Sequence, residues 1–62
     1  MEKILDAFVG KKVKIVLNDG YVKDGTLLGH DPNFIFIRYF NGEVISVNKN
    51  VVREMRGVGY DR

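Results

Sequence analysis

The chain has 62 residues, with 10 Lys or Arg, 8 Asp or Glu and 1 His, which gives a formal net charge of +2. A chain of this length forms one domain, near the lower size limit for folding without disulfide bonds or a structural metal ion. Cysteine is absent, which excludes disulfides, thiolate metal sites and cysteine nucleophiles, and one histidine cannot build a multi-histidine metal site. We therefore expect no metal and no cofactor.

Other function classes are disfavoured by what the sequence lacks. Its N-terminus has no apolar run typical of a signal peptide or membrane span, so we expect a cytoplasmic protein without membrane contact. Apart from tyrosines, Thr26 and Ser46 are the only hydroxyl nucleophiles, and neither lies in a recognisable catalytic motif. We expect neither an enzyme nor a small-molecule substrate. The positive charge permits nucleic-acid binding without identifying it.

The N-terminal third is predicted to hold a helix and a strand. In Glu2–Val9, Ile4, Leu5 and Phe8 form an apolar stripe, and Gly10 is a typical helix stop. From Lys12 to Leu17 the apolar period changes to two, which indicates a strand with one buried face.

The remaining chain is predicted to form four more strands. Turn-forming residues divide it into a second strand Tyr21–Gly29, a third strand within 33–40, a fourth strand Glu43–Val47 and a fifth strand Val51–Met55. Gly25 predicts a bend in the second strand, and Asn41-Gly42 predicts a two-residue hairpin turn. We assign residues 1–56 to the domain and 57–62 to a flexible tail. Five short antiparallel strands with a helix predict a small, strongly bent, all-β barrel.

The third strand is apolar on both faces. Phe34, Phe36 and Phe40 alternate with Ile35, Ile37 and Tyr39, and the phenylalanines share their face with Arg38. So small a chain cannot cover both faces of such a strand. We expect the barrel interior to cover one face and another subunit to cover the other. Arg38 is expected to pair with an acidic residue.

In this order, these features resemble the Sm-like (LSm/Hfq) family of RNA-binding proteins. The family's first motif matches the alternation Val13–Leu17, Gly20, Gly25, the pair Leu27-Leu28 and Asp31, and the N-terminal helix also fits. Its second motif, Ile-Arg-Gly or Tyr-Lys-His, falls at Asn48-Lys49-Asn50, where only Lys49 matches the second version.

The resemblance implies an SH3-like (Sm-like) barrel that assembles into a homo-oligomeric ring of five to seven subunits. The resemblance also implies that the fourth strand of one subunit pairs with the fifth strand of its neighbour. We expect the ring to bind short, U- or A-rich single-stranded RNA, in RNA processing or post-transcriptional regulation. The interface residues expected on this basis are Ile35, Ile37, Tyr39, Val44, Val47, Val51 and Val52.

Two polar segments are candidates for RNA contact. In the first, His30 to Phe34, an aromatic or histidine ring would stack on a base and Asn33 would bond a base edge; alternatively, Asp31 caps a turn and Phe34 fills the core. In the second, Lys49 would face phosphates between two asparagine amides; alternatively, it is a solvated turn. The predicted RNA-binding residues are His30, Asn33, Phe34, Asn48, Lys49 and Asn50.

Two other functions fit the same sequence. An SH3-like barrel could act as a protein-interaction or scaffold module through its apolar strands. A small barrel with the basic cluster Lys11, Lys12 and Lys14 could bind double-stranded DNA.

Overall fold

The computed structural model describes residues 2–58 and contains one helix followed by five strands. In chain order these are α1 (Glu2–Phe8), β1 (Lys12–Leu17), β2 (Val22–His30), β3 (Phe34–Arg38), β4 (Val44–Asn48), the 3-10 helix Lys49–Val51 and β5 (Val52–Gly57). All pairings are antiparallel, and the order across the sheet is β4-β3-β2-β1-β5. This confirms the predicted helix and five-stranded antiparallel sheet, with element ends displaced by one or two residues.

Strand β2 joins the two halves of the sheet. Its first half pairs with β1, and from Thr26 onward it pairs with β3. The register of the β2–β3 pairing shifts between Leu27 and Gly29, and the β1–β5 pairing shifts between Val16 and Leu17. Such irregularities increase local bending and twist. The predicted bend at Gly25 therefore lies close to the change of partner, although the register shift follows it.

Gly25 also allows close packing of two strands, a role that the sequence did not predict. A Cβ atom at this position would collide with the main-chain carbonyl oxygen of Arg38, and it would lie 2.7 Å from Cγ2 of Ile37. Glycine therefore permits β3 to approach β2 closely.

The core lies on the isoleucine face of β3. Ile35 and Ile37 are fully buried, whereas Phe34 is 36% exposed and Arg38 is exposed. The expectation that these isoleucines, together with Val47, contact another subunit is corrected here, because the chain's own core encloses all three. The buried cluster consists of Leu5, Val13, Ile15, Leu17, Leu27, Ile35, Ile37 and Val47.

The two hairpins β1–β2 and β3–β4 have the same loop geometry. In the first, Leu17 N–H donates to Tyr21 O (2.8 Å); in the second, Tyr39 N–H donates to Glu43 O (2.8 Å). The third loop residue is a glycine with positive φ in each case, Gly20 at 94° and Gly42 at 92°. The predicted two-residue turn at Asn41-Gly42 is therefore a three-residue loop, since a type I′ turn also needs a positive φ at its first residue.

Helix α1 is fastened to β2 through the residues that follow it. Gly10 N–H donates to Leu27 O at 2.7 Å, and Leu27 N–H donates to Lys11 O at 2.9 Å. Leu5 is fully buried in the core and Phe8 packs against it. A seven-residue helix is too short to persist alone, so this docking keeps it folded.

The sheet extends beyond the predicted end of the domain. Gly57 pairs with Val13, and Val58 N–H donates to Lys12 O at 2.9 Å. Gly57 therefore belongs to β5 and not to a tail. The rest of the predicted tail, residues 59–62, lies outside the described residues.

Strands β4 and β5 are the two edges of the sheet. Within residues 2–58, each is paired on one side only, and neither contains proline. An edge strand exposes a row of main-chain donors and acceptors to another chain. The described fold thus offers two open edges, one at each end of the strand order.

Candidate functional site

The loop between β2 and β3 is organised by Asp31. Its carboxylate accepts the N–H groups of Asn33 at 2.8 Å and Phe34 at 2.6 Å, while its own N–H donates to Phe34 O at 2.9 Å. Hydrogen bonds from Phe34 and then Asn33 lower the pKa of this carboxyl, and the charges of Lys49 and His30 add to the effect. Asp31 therefore acts as the turn residue expected in one interpretation of the sequence.

The segment after β4 brings Lys49 to this loop. Asn48 Oδ1 accepts the N–H of Asn50 at 2.8 Å and caps the 3-10 helix. Lys49 N–H then donates to Asn33 O at 2.9 Å, which joins the two polar segments through the main chain. The pairing of Phe34 with Asn48 explains this meeting, because it aligns the start of β3 with the end of β4.

His30 lies between an acid and a base. Its Nε2 atom is 2.7 Å from Oδ1 of Asp6, and its Nδ1 atom is 3.5 Å from Nζ of Lys49. The His30 side chain is 14% exposed and that of Asp6 is 70% exposed. The histidine ring is therefore mostly enclosed and is held at its edges, so it offers little open face for stacking.

The structure brings the six predicted RNA-binding residues to one end of the sheet: His30, Asn33, Phe34, Asn48, Lys49 and Asn50. Asn33 is exposed, and its side-chain amide has no hydrogen-bond partner among residues 2–58. An exposed amide next to a lysine and a partly exposed phenylalanine can bond a base edge, attract a phosphate and contact a base face.

In the second segment, the side chain of Asn48 and the main chain of Asn50 make structural contacts. The side-chain oxygen of Asn48 caps the 3-10 helix, and Asn50 O accepts a 3.2 Å hydrogen bond from Nδ2 of Asn18. Asn18 N–H also donates to Val51 O at 2.8 Å, so the β1–β2 turn supports this segment. These contacts position Lys49, and RNA contact by Asn48 and Asn50 stays a prediction.

Sequence reasoning did not identify Asp6. It precedes His30 by 24 residues, and nothing in the local pattern of the helix links the two. The available signal was that α1 must dock on the barrel near the end of β2. That constraint places the helix near His30 but does not select one of its side chains.

The remaining residues of the expected subunit interface differ in exposure. Val44 is 56% exposed and Val51 is 42% exposed, whereas Tyr39 and Val52 are half-buried. Val44 and Val52 each begin an edge strand, and Val51 immediately precedes β5. These four residues remain available to a neighbouring chain.

An open cleft of about 300 Å³ lies towards the other end of these strands. Lys12, Thr26 and Arg38 are directly opposed across β1, β2 and β3, and the fully exposed Phe40 borders the same cleft. Arg38 makes no ion pair with the described residues of its own chain, and its pairing with an acidic residue, across the subunit interface, stays a prediction.

Two further features of the described residues concern membranes and metals. No helix in the described part of the chain has the length and apolar character needed to cross a bilayer. Among the described side chains, those of residues 3–58, no three His, Cys, Asp or Glu are grouped so that they could hold a metal ion.

Comparison with known proteins identifies the fold. No family model matches the sequence, and no curated protein matches it. The chain is similar to a 1.55 Å crystal structure of the pleiotropic translational regulator Hfq, with a TM-score of 0.83 and 15% sequence identity. The match covers 92% of this chain and 88% of that chain. The fold is therefore the Sm-like fold that the sequence motifs indicated.

Proposed function

We propose that this chain forms a homo-oligomeric ring that binds short single-stranded RNA without transforming it. The observation that carries the proposal is the convergence of Asn33, Phe34 and Lys49 at one end of an Sm-like fold. An exposed amide, an aromatic side chain and a lysine supply the three kinds of contact with which single strands are commonly bound. The structurally similar protein named above is a translational regulator, which favours a role in post-transcriptional regulation.

Ring assembly is supported by the two open edges. Because β4 and β5 are different surfaces of one chain, pairing β4 of one subunit with β5 of the next is head-to-tail. Repetition of such a contact closes into a ring when the rotation permits. Val44, Val51, Val52 and Tyr39 would line this contact, and five to seven subunits remains the predicted range.

Repetition of the site around the ring would raise the overall affinity for RNA. Each subunit contributes one weak site, and a strand that spans several sites is held with an avidity far above that of any single contact. U- or A-rich RNA is the proposed ligand on the sequence resemblance, and a cytoplasmic location stays a prediction. The proposal includes no cofactor and no small-molecule substrate.

The test compares two lysine variants in binding to fluorescent oligouridine and oligoadenine. We expect Lys49→Ala to weaken binding by about tenfold or more and to reduce the salt dependence, because each lost phosphate contact lowers the slope by about 0.7. Lys14→Ala is the matched control, because Lys14 is exposed on β1 and its substitution removes the same charge away from the site. Light scattering should give the same mass for both variants.

Three outcomes would contradict the proposal. Absence of RNA binding at low salt would favour the scaffold function, and preference for duplex DNA would favour the DNA-binding function. Equal weakening by the two substitutions would mean that only net charge matters.

A further inference from the structure

The cluster Asp6, His30 and Lys49 carries an inference about how the proposed RNA site works. Asp6 comes from α1, His30 ends β2, and Lys49 begins the 3-10 helix after β4. An ionised carboxylate can only accept hydrogen bonds, and a lysine ammonium can only donate them. These two neighbours therefore specify one form of the neutral ring, with the proton on Nε2 facing Asp6 and the lone pair on Nδ1 facing Lys49.

A second proton on His30 would change this arrangement. It would place an N–H group on Nδ1, opposite the Lys49 ammonium 3.5 Å away, so that two positively charged donors face each other. An anion that accepts from both donors removes the conflict. A phosphate oxygen of RNA is such an acceptor, and the positive charges of both side chains would then act on it.

We propose that His30 is a positioning residue: held by Asp6, it places the Lys49 ammonium at neutral pH and gains a proton when an RNA phosphate binds there. This inference rests on the proposed function of the site. It assigns Asp6 a role in RNA affinity and replaces the expected stacking role of His30. Histidine is suited to this role because its charge changes between pH 5 and 8 in ordinary surroundings.

Among the described residues, Asp31, the next residue in the chain, is a further charged group near His30. Hydrogen bonds from Phe34 and Asn33 lower the pKa of its carboxyl, so it stays ionised throughout that pH range. The described charged groups around the ring are thus Asp6 from α1, Asp31 from the loop and Lys49 from the 3-10 helix.

Two substitutions separate positioning from protonation. His30→Gln keeps a neutral side chain with one donor and one acceptor but cannot take up a proton. His30→Leu retains bulk and removes both polar atoms. All other titrating groups, including the amino terminus, are unchanged in both variants, so each is a control for proton effects elsewhere.

The measurement is affinity for oligouridine, whose bases do not gain protons in this range, at about pH 8 and about pH 5.5. We expect the native chain to bind about tenfold more tightly at the lower pH, because the added proton gives the phosphate a second charged donor. His30→Gln, which cannot take up a proton, should show no such gain between the two pH values. His30→Leu should bind several-fold more weakly than His30→Gln at the higher pH.

Two results would overturn the inference while leaving the proposed function intact. One is a native pH response in His30→Gln, and the other is native affinity of His30→Leu at the higher pH. If instead no variant binds RNA, or Lys49→Ala has no effect, the proposed function itself fails and the RNA-linked part of this inference fails with it.

A measurement without RNA tests the positioning step directly. The chain has 1 histidine, so its imidazole nitrogen NMR spectrum contains one ring. We expect the neutral ring to carry its proton on Nε2, and Asp6→Ala, a substitution at an exposed helix position that should not disturb folding, to allow the other tautomer. A proton on Nδ1 in the native chain would overturn the role of Asp6.

Discussion

At the scale of single residues, the site depends on side chains that hold the main chain in place. Asp31 and Asn48 each accept the main-chain N–H group two residues ahead, and Asp31 also accepts the N–H group of Phe34, three residues ahead. These contacts fix the loop and the 3-10 helix that present Asn33 and Lys49. A residue can therefore be essential to the site without touching a ligand.

The lowered pKa of Asp31 predicts an acid-sensitive loop. A carboxyl whose pKa is depressed on folding contributes stability that is present above its unfolded pKa of about 3.9 and is lost as the pH falls through the folded value. The amide NMR signals of Asn33 and Phe34 should therefore move together in acid, below about pH 4. Asp31→Asn should abolish this transition. An unchanged transition in that variant would mean that another group controls the loop.

At the scale of elements, the close approach of β2 and β3 depends on Gly25. Gly25→Ala would place a methyl group against the Arg38 carbonyl, and overpacking against rigid main chain typically costs about 1 to 3 kcal/mol. Gly29→Ala, on the same strand, is a matched control because a Cβ there meets nothing within 4 Å. Urea unfolding at one protein concentration should show a lower midpoint for Gly25→Ala than for Gly29→Ala. Equal midpoints would contradict the proposed role of Gly25.

The sequence predicted these elements well where one face of a strand is apolar. In β1, Lys12 and Lys14 alternate with buried residues, and its predicted bounds are those observed. In β3 both faces are apolar, so the pattern could not decide which face lies inside. The contact of Asp6 with His30 was also beyond sequence reasoning, because it depends on how α1 docks. RNA contact by Lys49 was predicted from the family resemblance. Its contact with the Asn33 loop follows from the β3–β4 register.

At the scale of the whole molecule, the open edges predict that the proposed ring assembly can be weakened without unfolding the subunit. Val44→Lys adds a charge at the start of edge strand β4, and edge lysines oppose strand pairing between chains. Val22→Lys is the control, since Val22 is 51% exposed, close to the 56% of Val44, but lies on an inner strand. Sedimentation at micromolar concentration should detect the 7.1 kDa subunit for Val44→Lys and a ring for Val22→Lys.

The circular dichroism spectra of the two variants should agree, which would show that the subunit fold survives. If Val44→Lys sediments like the native chain, the β4 edge does not form the subunit interface. If both variants dissociate, surface charge and not the edge controls assembly.

The 3-10 helix that carries Lys49 also joins β4 directly to β5. In a closed ring, these consecutive strands would pair with the two flanking subunits. Lys49 would then lie between the two subunit interfaces. An oligonucleotide that contacts adjacent lysines would then stabilise the ring against dissociation on dilution. By the same linkage, RNA would bind poorly to dissociated subunits. Cellular concentration would thereby set whether transcripts are held at all.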